Sequence, residues 1–440
     1  MQACGNSPQK TANNHDKTCK KEEAVQLLCV SASIIMIFAH MLRPATSLFV
    51  SKVLAALFNF FVMVLVSQKL GVADRGICAF YYVVIVLALA LTDTVVGAAL
   101  GNLLGRFALR QLLRLSLAWG GIASLLVCAA LWAGGKIGSG EACLLLVACW
   151  VNGVVSFLQQ ALLCRHQHAQ LSWANLLPAL LVACFCTALT GASQLTTTSY
   201  LAALCLGWMI TALIAFAWIN RLPDDRPLVK YSVLFWAGLR LASLNQAAHL
   251  LGFINSKLPY FFLSAAALGV FANAQALADA MLMLPGSLGQ VLYAHAVQQP
   301  AQNRKVPLVS RVLWQNFLAM MVVYAGAVLV PASVYTSLFG PGFEAVKPFL
   351  WWLGVGSCFQ SGYLIISYWQ SAQGHFVRNI YPLVAALLWN AAGCLWLWRS
   401  QHFSISNLVL VMVVGQLWAM VVAFWRAFVE PKRRITQPHD

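Results

Sequence analysis

Stretches of about 20 apolar residues recur along the whole chain and constrain its fold more than any other feature. An α-helix rises 1.5 Å per residue, so a stretch of this length crosses about 30 Å of hydrocarbon. Of the 440 residues 61% are hydrophobic and 9% are charged, whereas soluble domains carry about 25% charged residues. The pattern predicts an all-α integral membrane protein and excludes a soluble fold.

Windows of about 19 residues divide the chain into about twelve predicted transmembrane helices. They lie near 48–67, 77–99, 115–133, 143–163, 173–190, 200–219, 239–264, 269–293, 312–331, 350–371, 380–398 and 405–428. The predicted organisation is an N-lobe at 48–220, an interlobe linker at 221–238, a C-lobe at 239–428 and a basic tail at 429–440. Residues 1–47 form a polar tail and a further apolar segment, 24–42.

The lysines and arginines predict how the bundle is oriented. They concentrate in one alternate set of loops, which includes 221–230 and 304–311, and in the tail. By the positive-inside rule these loops and both ends of the bundle lie in the cytoplasm. A crossing by 24–42 would move Lys17, Lys20 and Lys21 outside, so we predict that this segment does not span. It is instead an interfacial helix, an uncleaved signal-like stretch, or sequence upstream of the true start.

The net charge of +16 does not point to nucleic acid, because it is spread over short loops rather than gathered in one patch. No cofactor or metal site is expected. Cys184 and Cys186 point to different faces of a predicted helix, which disfavours a ligand pair. The glycines of 134–140 lack the spacing of a nucleotide-binding loop. No loop is long enough to fold as a soluble domain.

A short repeat relates the two halves of the chain. Leu70-Gly71-Val72 follows the first predicted helix, and Leu268-Gly269-Val270 follows the seventh, six helices later. The match predicts parallel repeats, with two lobes of six helices around a central cavity near the midplane. Both tripeptides are predicted to turn at the outer surface.

This repeat provides a measure of depth. Lys257 lies eleven residues before Leu268, about 16 Å down a helix, and Asp279 lies ten residues after Gly269, about 15 Å down the next. Charges at half depth cost several kcal/mol unless they pair or face water, so both are candidate functional residues. A purely structural ion pair is the alternative. Polar residues on the same helical faces, and on the first helix, complete the predicted cavity: Lys257, Asp279, Asn59, Lys52, His249, Ser256, Tyr260 and Gln275.

Three segments carry a family resemblance: LGVADRGICAFYY at 70–82, INSKLPYFFLSAAALGVFANAQALADAMLMLPGSLGQVLY at 254–293, and SLFGPGFEAVKPFLWWL at 337–353. In order and spacing they resemble the polysaccharide flippase branch of the superfamily that also contains the multidrug and toxic compound extruders and the lipid II flippases. Two features depart from that branch: Pro259 stands where it often has an acid, and a proline near Ala294 is missing.

The resemblance implies a flippase in the bacterial inner membrane that is not an enzyme. Its substrate would be an oligosaccharide linked to a lipid such as undecaprenyl diphosphate, moved from the inner to the outer leaflet for surface polysaccharide synthesis. Lys257 would contact phosphates or sugar acids, with Asp279 modulating it. The coupling ion, H⁺ or Na⁺, is undetermined. Membrane lipids, a polysaccharide polymerase and a chain-length regulator are the implied partners.

Two other functions remain open from the sequence. A drug or organic-cation antiporter of the extruder type would need an acidic cavity, and the predicted helices hold only Asp93 and Asp279 as acids. A polytopic polymerase or glycosyltransferase would usually carry a large outer loop, which is missing here. Both alternatives rank below the flippase.

Overall fold

The structure, a computed structural model, describes residues 9–97, 100–104, 106–221, 228–298, 306–373, 375–400 and 404–429, with most side chains from Ser47 onward. The described residues form helices and no strand, which confirms the all-α prediction. In chain order the helices are α1 (Gln9–Thr92), α2 (Leu100–Leu104), α3 (Leu109–Ala133), α4 (Ser139–Cys164), α5 (His168–Gly191), α6 (Thr197–Ile219), α7 (Tyr231–Lys257), α8 (Ala265–Met281), α9 (Met283–Gln298), α10 (Val306–Leu329), α11 (Ala332–Phe339), α12 (Val346–Ala372), α13 (Phe376–Arg399) and α14 (Ile405–Phe424).

Ten described segments are long and apolar enough to cross a membrane. One of them, Val50–Thr92, contains two crossings that meet at Gly71, whose backbone (φ 80°, ψ −175°) only glycine adopts readily. We call the helix before this kink α1a and the helix after it α1b. Helix α7, with 27 residues, is also long enough to cross the hydrocarbon layer. We name the two surfaces of the bundle by residues that lie there: the Gly71 end and the Arg106 end.

Each half of the chain packs around its own apolar core. In the first half, α1b, α4, α5 and α6 bury a cluster that includes Ile85, Leu145 and Leu201. In the second half, α9, α10 and α12 share a smaller cluster around Ile365. These two groups are the N-lobe and the C-lobe.

The two lobes join at the Gly71 end. One continuous apolar cluster contains Met63 and Ala79 of the N-lobe together with Phe271, Phe339 and Phe343 of the C-lobe. Towards the Arg106 end, α9 packs against α10 and α12 of its own lobe rather than against α1. There the lobes touch through the start of α7, where Gly238 lies against Val95. The space between α1 and α9 is therefore closed at the Gly71 end.

Two details of the predicted helices are wrong. The seventh helix was expected at 239–264, but α7 begins at Tyr231 and ends at Lys257, and a 3₁₀ turn, Leu258–Phe261, follows it. Leu268-Gly269-Val270 was expected to form a turn, but it lies inside α8, whose N-cap is Ser264. The chain turns earlier because Pro259 cannot continue α7. Gly269 has a different role, which is described below.

Two predictions concern parts of the chain whose side chains, or whose backbone and side chains, the structure does not describe. The side chains of 24–42 lie outside the described ones, although their backbone belongs to α1, so the expectation that this segment does not span stays a prediction. The basic tail beyond Val429 also lies outside the described residues.

Candidate functional site

Lys257 and Asp279 are in direct contact. The Lys257 Nζ donates to Asp279 Oδ2 at 2.8 Å, and Gln275 Nε2 donates to the other carboxylate oxygen, Oδ1, at 2.7 Å. The ring of Tyr260 lies 5.5 Å from the Lys257 ammonium, within the range of a cation–π contact. Four of the eight residues predicted for the cavity therefore form one cluster.

The end of α7 places Lys257. Lys257 is the last residue of α7, and Pro259 is the second residue of the 3₁₀ turn that follows. A helix C-terminus carries a partial negative charge from its unpaired carbonyls, so it favours a cation there. Tyr260, held edge-to-face against Phe271 with ring centres 5.6 Å apart, closes the other side. The break in the helix thus creates a position suited to an ammonium inside the membrane.

The depth of Asp279 follows from its helix's contact with α1b. Gly269 of α8 lies against the backbone of Val72 and Gly76, just below the Gly71 kink. Asp279 is ten residues further along α8, about 15 Å from this contact. That distance is half of a hydrocarbon layer of about 30 Å.

The depth of Lys257 follows from a separate contact. Gln246 of α7 donates to the carbonyl of Ala90, near the far end of α1b, at 2.8 Å. Lys257 is eleven residues further along α7, about 16 Å back towards the Gly71 end, which brings it level with Ala79. The lysine side chain spans the remaining distance to Asp279. Two independent contacts therefore place the pair near the middle of the bundle.

The two charges differ in exposure. The Lys257 side chain is 17% exposed, whereas the Asp279 side chain is 43% exposed. Tyr82 of α1b, which is 50% exposed, lies close enough to interact electrostatically with both. Tyr82 was not predicted from the sequence, because a tyrosine in an apolar helix gives no signal by itself. Through Tyr82 the N-lobe contributes a residue to the site.

The other four predicted residues lie elsewhere. Lys52 and Asn59 project from α1a with exposed side chains, and the described hydrogen bonds of the pair include neither. His249 and Ser256 line a separate cavity inside the C-lobe. The predicted polar stripe of α7 thus faces the interior of its own lobe, and Lys257 at its end reaches the neighbouring α8.

This C-lobe cavity has a volume of about 530 Å³ and lies between α7, α9, α12, α13 and α14. Its polar lining includes Asn255, Gln360, Ser367, Asn379 and Asn390. None of these five residues was predicted from the sequence. A signal was present on α12, where Gln360, Ser367 and Ser371 follow one another at seven and four residues and so share a helical face.

A polar network seals the lobes at the Gly71 end. Arg75 Nε donates to Asn273 Oδ1 at 2.9 Å, and Asn273 Nδ2 donates to Ser67 Oγ at 2.9 Å. Asn273 is 0% exposed, so this network lies within the interface. Nearby, Gln68 Nε2 donates to the Leu338 carbonyl at the end of α11, at 2.9 Å. These contacts link α1 to α8 and α11.

No group of three or more His, Cys, Asp or Glu side chains among the described residues could hold a metal ion. Asp93, the other acid within a predicted helix, lies just after α1b and is half-buried. The described part of the chain therefore concentrates its charged chemistry at half depth in the Lys257 and Asp279 cluster.

The sequence matches no protein-family profile and no curated protein, but its fold matches solved structures. An inward-facing multidrug resistance MATE family transporter of the MOP superfamily aligns with a TM-score of 0.62 and 13% identity, over 85% of this chain and 93% of that one. The lipid II flippase MurJ in an inward closed conformation aligns with a TM-score of 0.62 and 12% identity, over 88% and 87%.

The eukaryotic MATE transporter AtDTX14 aligns with a TM-score of 0.61 and 14% identity, over 88% of this chain and 96% of that one. These neighbours span nearly the whole chain, and at such low identity they establish its fold alone. The chain has the twelve-helix, two-lobe fold of the MATE transporters and MurJ.

Proposed function

We propose that the protein is a flippase that moves a lipid-linked oligosaccharide, on a carrier such as undecaprenyl diphosphate, across a bacterial inner membrane. The positive-inside pattern supports placing the Arg106 end in the cytoplasm. The lobes would then be joined at the outer surface. Alternating access would rock them around the half-depth cluster. No chemical bond changes in this reaction, so the protein acts as a transporter and not as an enzyme.

The contact between Lys257 and Asp279 carries this proposal. Asp279 already has a cationic partner in Lys257 and an amide donor in Gln275. A cation bound at Asp279 would displace Lys257 and leave that lysine, which is only 17% exposed, without a partner. The half-depth site therefore has no net negative charge, and its lysine is a ready partner for an anion.

A phosphate oxygen can replace Asp279 on the Lys257 ammonium without leaving that cation unpaired. Charge-assisted bonds of this kind are about twice as strong as neutral ones and gain strength in a low dielectric. The displaced carboxylate, already half-exposed, would turn to water or take up a proton. Whether H⁺ or Na⁺ couples to this step is left open, while a polymerase and a chain-length regulator would act on the delivered glycan.

The test uses three variants in proteoliposomes loaded with lipid-linked oligosaccharide. Lys257→Ala should lower transport by about 10- to 150-fold. This range corresponds to the free energy of a hydrogen bond to a charged group. The Lys257→Ala, Asp279→Ala double variant removes the pair while it keeps the net charge unchanged. We expect the double variant to be as inactive as the single one, because the phosphate contact is lost in both.

Recovery of transport in the double variant would mean that Lys257 only compensates Asp279, and the proposal would then fail. Lys257→Arg serves as the conservative control, since it keeps the cation. A parent protein that moves no lipid-linked oligosaccharide would also overturn the proposal.

One observation favours a second function, the export of organic cations. Asp279 is the more exposed member of the pair, 43% against 17% for Lys257, so a cation could approach the carboxylate first. In that case Asp279→Asn would abolish resistance to cationic drugs in a sensitive strain, while surface polysaccharide stayed normal. We expect the reverse: reduced polysaccharide and unchanged drug resistance.

A further inference from the structure

We propose that the C-lobe cavity binds neutral sugar units of the glycan while the diphosphate lies at Lys257. The inference rests on the proposed function and extends it by naming the chemical class that a second site recognises. The cavity of about 530 Å³ is within the range of ligand-binding pockets, and it has room for about one or two sugar units.

The position of the cavity suits a glycan attached to the phosphates. Ser256 lines the cavity and is the direct neighbour of Lys257 in the chain. From there the cavity runs towards the Arg106 end, because its lining continues to Tyr293 near the end of α9 and to Ser371 and Asn379 where α12 and α13 meet. The wall of the cavity therefore begins next to the residue that would bind the phosphate.

The lining is polar without being charged. Among the described residues that form it, none is Asp, Glu, Lys or Arg, while amides and hydroxyls come from five helices. Amides and hydroxyls both donate and accept hydrogen bonds, as sugar hydroxyls do. Tyr293, Tyr363 and Tyr368 add aromatic surface, against which the apolar face of a sugar ring can pack. A charged ligand would lack a counter-charge here.

Part of this polar lining is already organised by the protein. Asn390 Nδ2 donates to Asn255 Oδ1 at 3.1 Å, and Asn255 Nδ2 donates to the Leu383 carbonyl at 2.9 Å, which ties α13 to α7. Gln360 uses its Oε1 to accept from Gln416 Nε2 at 3.1 Å. Its own amide nitrogen then remains as a donor to a ligand.

Hydrogen bonds from Asn379 also position part of the cavity lining. Asn379 Nδ2 donates to the Ser371 Oγ at 2.8 Å and to the Ser367 carbonyl at 3.2 Å, so the Ser367 bond uses the backbone and not the hydroxyl. Ser367 and Tyr368 line the cavity, and the Ser367 hydroxyl also contacts Tyr363 of the same helix. The hydroxyls of Ser367 and Tyr368 are the groups to remove in a test, because their loss leaves the bonds from Asn379 intact.

A purely structural role explains this lining poorly. Polar side chains at membrane depth are costly unless they are paired or face water, and an apolar core would join the same helices without this cost. The polar residues instead surround open space. A cavity built this way suits a hydroxyl-rich ligand that replaces water.

The test measures binding to the full-length protein in nanodiscs by scintillation proximity. The probes are oligosaccharides released by mild acid from the lipid carriers of the source cells and reduced with tritiated borohydride. We expect saturable binding that weakens at least about fivefold in a Ser367→Ala, Tyr368→Phe variant, which deletes two hydroxyls, and in Gln360→Leu. Ser357→Ala is the matched control, since it removes a hydroxyl of the same helix that bonds to the Ala278 carbonyl outside the cavity.

Several results would overturn the inference. One is the absence of saturable binding by the parent protein, and another is unchanged binding in the cavity variants. A third is binding of ²²Na⁺ that the same variants abolish, which would assign the cavity to an ion. Because free oligosaccharides lack phosphate, Lys257→Ala should keep their binding although it loses transport. The cavity inference can thus fail while transport of lipid-linked oligosaccharide by the parent still supports the proposed function.

Discussion

A methyl group added at Gly269 tests whether close contact between α1b and α8 seals the Gly71 end. In Gly269→Ala the new Cβ would lie 2.0 Å from the carbonyl oxygen of Val72 and 3.0 Å from its carbon. Real Cβ atoms essentially never approach another heavy atom within 3.0 Å. Because the obstacle is backbone, no side-chain rotation relieves it, and the helices must separate by at least 1.0 Å, the difference between 3.0 and 2.0 Å.

The size of the effect follows from the cost of overpacking. An extra methyl in a close-packed interface costs about 1–3 kcal/mol. The added methyl destabilises the state in which α1b and α8 are in contact. It does not affect a state in which the lobes are separated at the Gly71 end. The equilibrium should therefore shift about 5- to 150-fold towards the state open at the Gly71 end.

The assay follows a thiol placed inside the sealed interface. Ala79 of α1b is 4% exposed and belongs to the apolar cluster shared by both lobes. In an Ala79→Cys background, labelling of the introduced thiol by a bulky maleimide is quantified by peptide mass spectrometry, which separates it from the native cysteines. We expect labelling to be at least about fivefold faster when Gly269→Ala is added.

Gly326→Ala in α10 is the matched control, because nothing lies within 4 Å of the position its methyl would occupy. It should leave labelling unchanged. If Gly269→Ala also leaves labelling unchanged in a protein that elutes and melts like the parent, the close contact does not control closure, and the reasoning is refuted.

Two further predictions concern stability, measured as the apparent Tm of the purified protein. Gly71→Ala should lower the Tm, because a residue with a side chain is strained by about 1–3 kcal/mol at φ 80°, ψ −175°. Gly191→Ala at the end of α5 should leave the Tm unchanged, since nothing lies within 4 Å of the added methyl. Asn390→Leu should also lower it, since it removes the donor to Asn255 and breaks the amide link between α13 and α7; an unchanged Tm would show that this link is dispensable.

The contrast between Gly71 and Gly269 shows how far the repeat could be read from sequence. Both stand in Leu-Gly-Val, and the tripeptide was predicted to turn in each half. Gly71 does break its helix, while Gly269 continues one. Their shared feature is location, because α1b and α8 touch at this level. A tripeptide could therefore predict depth, but it could not distinguish a turn from a close contact between helices.

The residues of the candidate site also differ in how far the sequence could predict them. Lys257 and Asp279 were predictable because a charge in an apolar helix is costly and must find a partner. Tyr82 and Gln360 were not, because a neutral polar residue is tolerated on many helix faces, and only the packed structure decides what it faces. Lys52 was grouped with the site by helical position, yet the described bonds of the pair do not include it.

The polarity of α7 unites the two sites. Between Arg240 and Lys257 this helix carries an unusual density of polar residues for a crossing. In lipid such residues would be expelled, so α7 must be enclosed by other helices. Its contacts agree with this requirement: Gln246 bonds to the N-lobe, Asn255 bonds across the C-lobe to Leu383, and Lys257 ends the helix at Asp279. A movement of α7 would therefore change the lobe contact, the C-lobe cavity and the charged pair together, which the proposed function requires if substrate binding is to drive the exchange between open states.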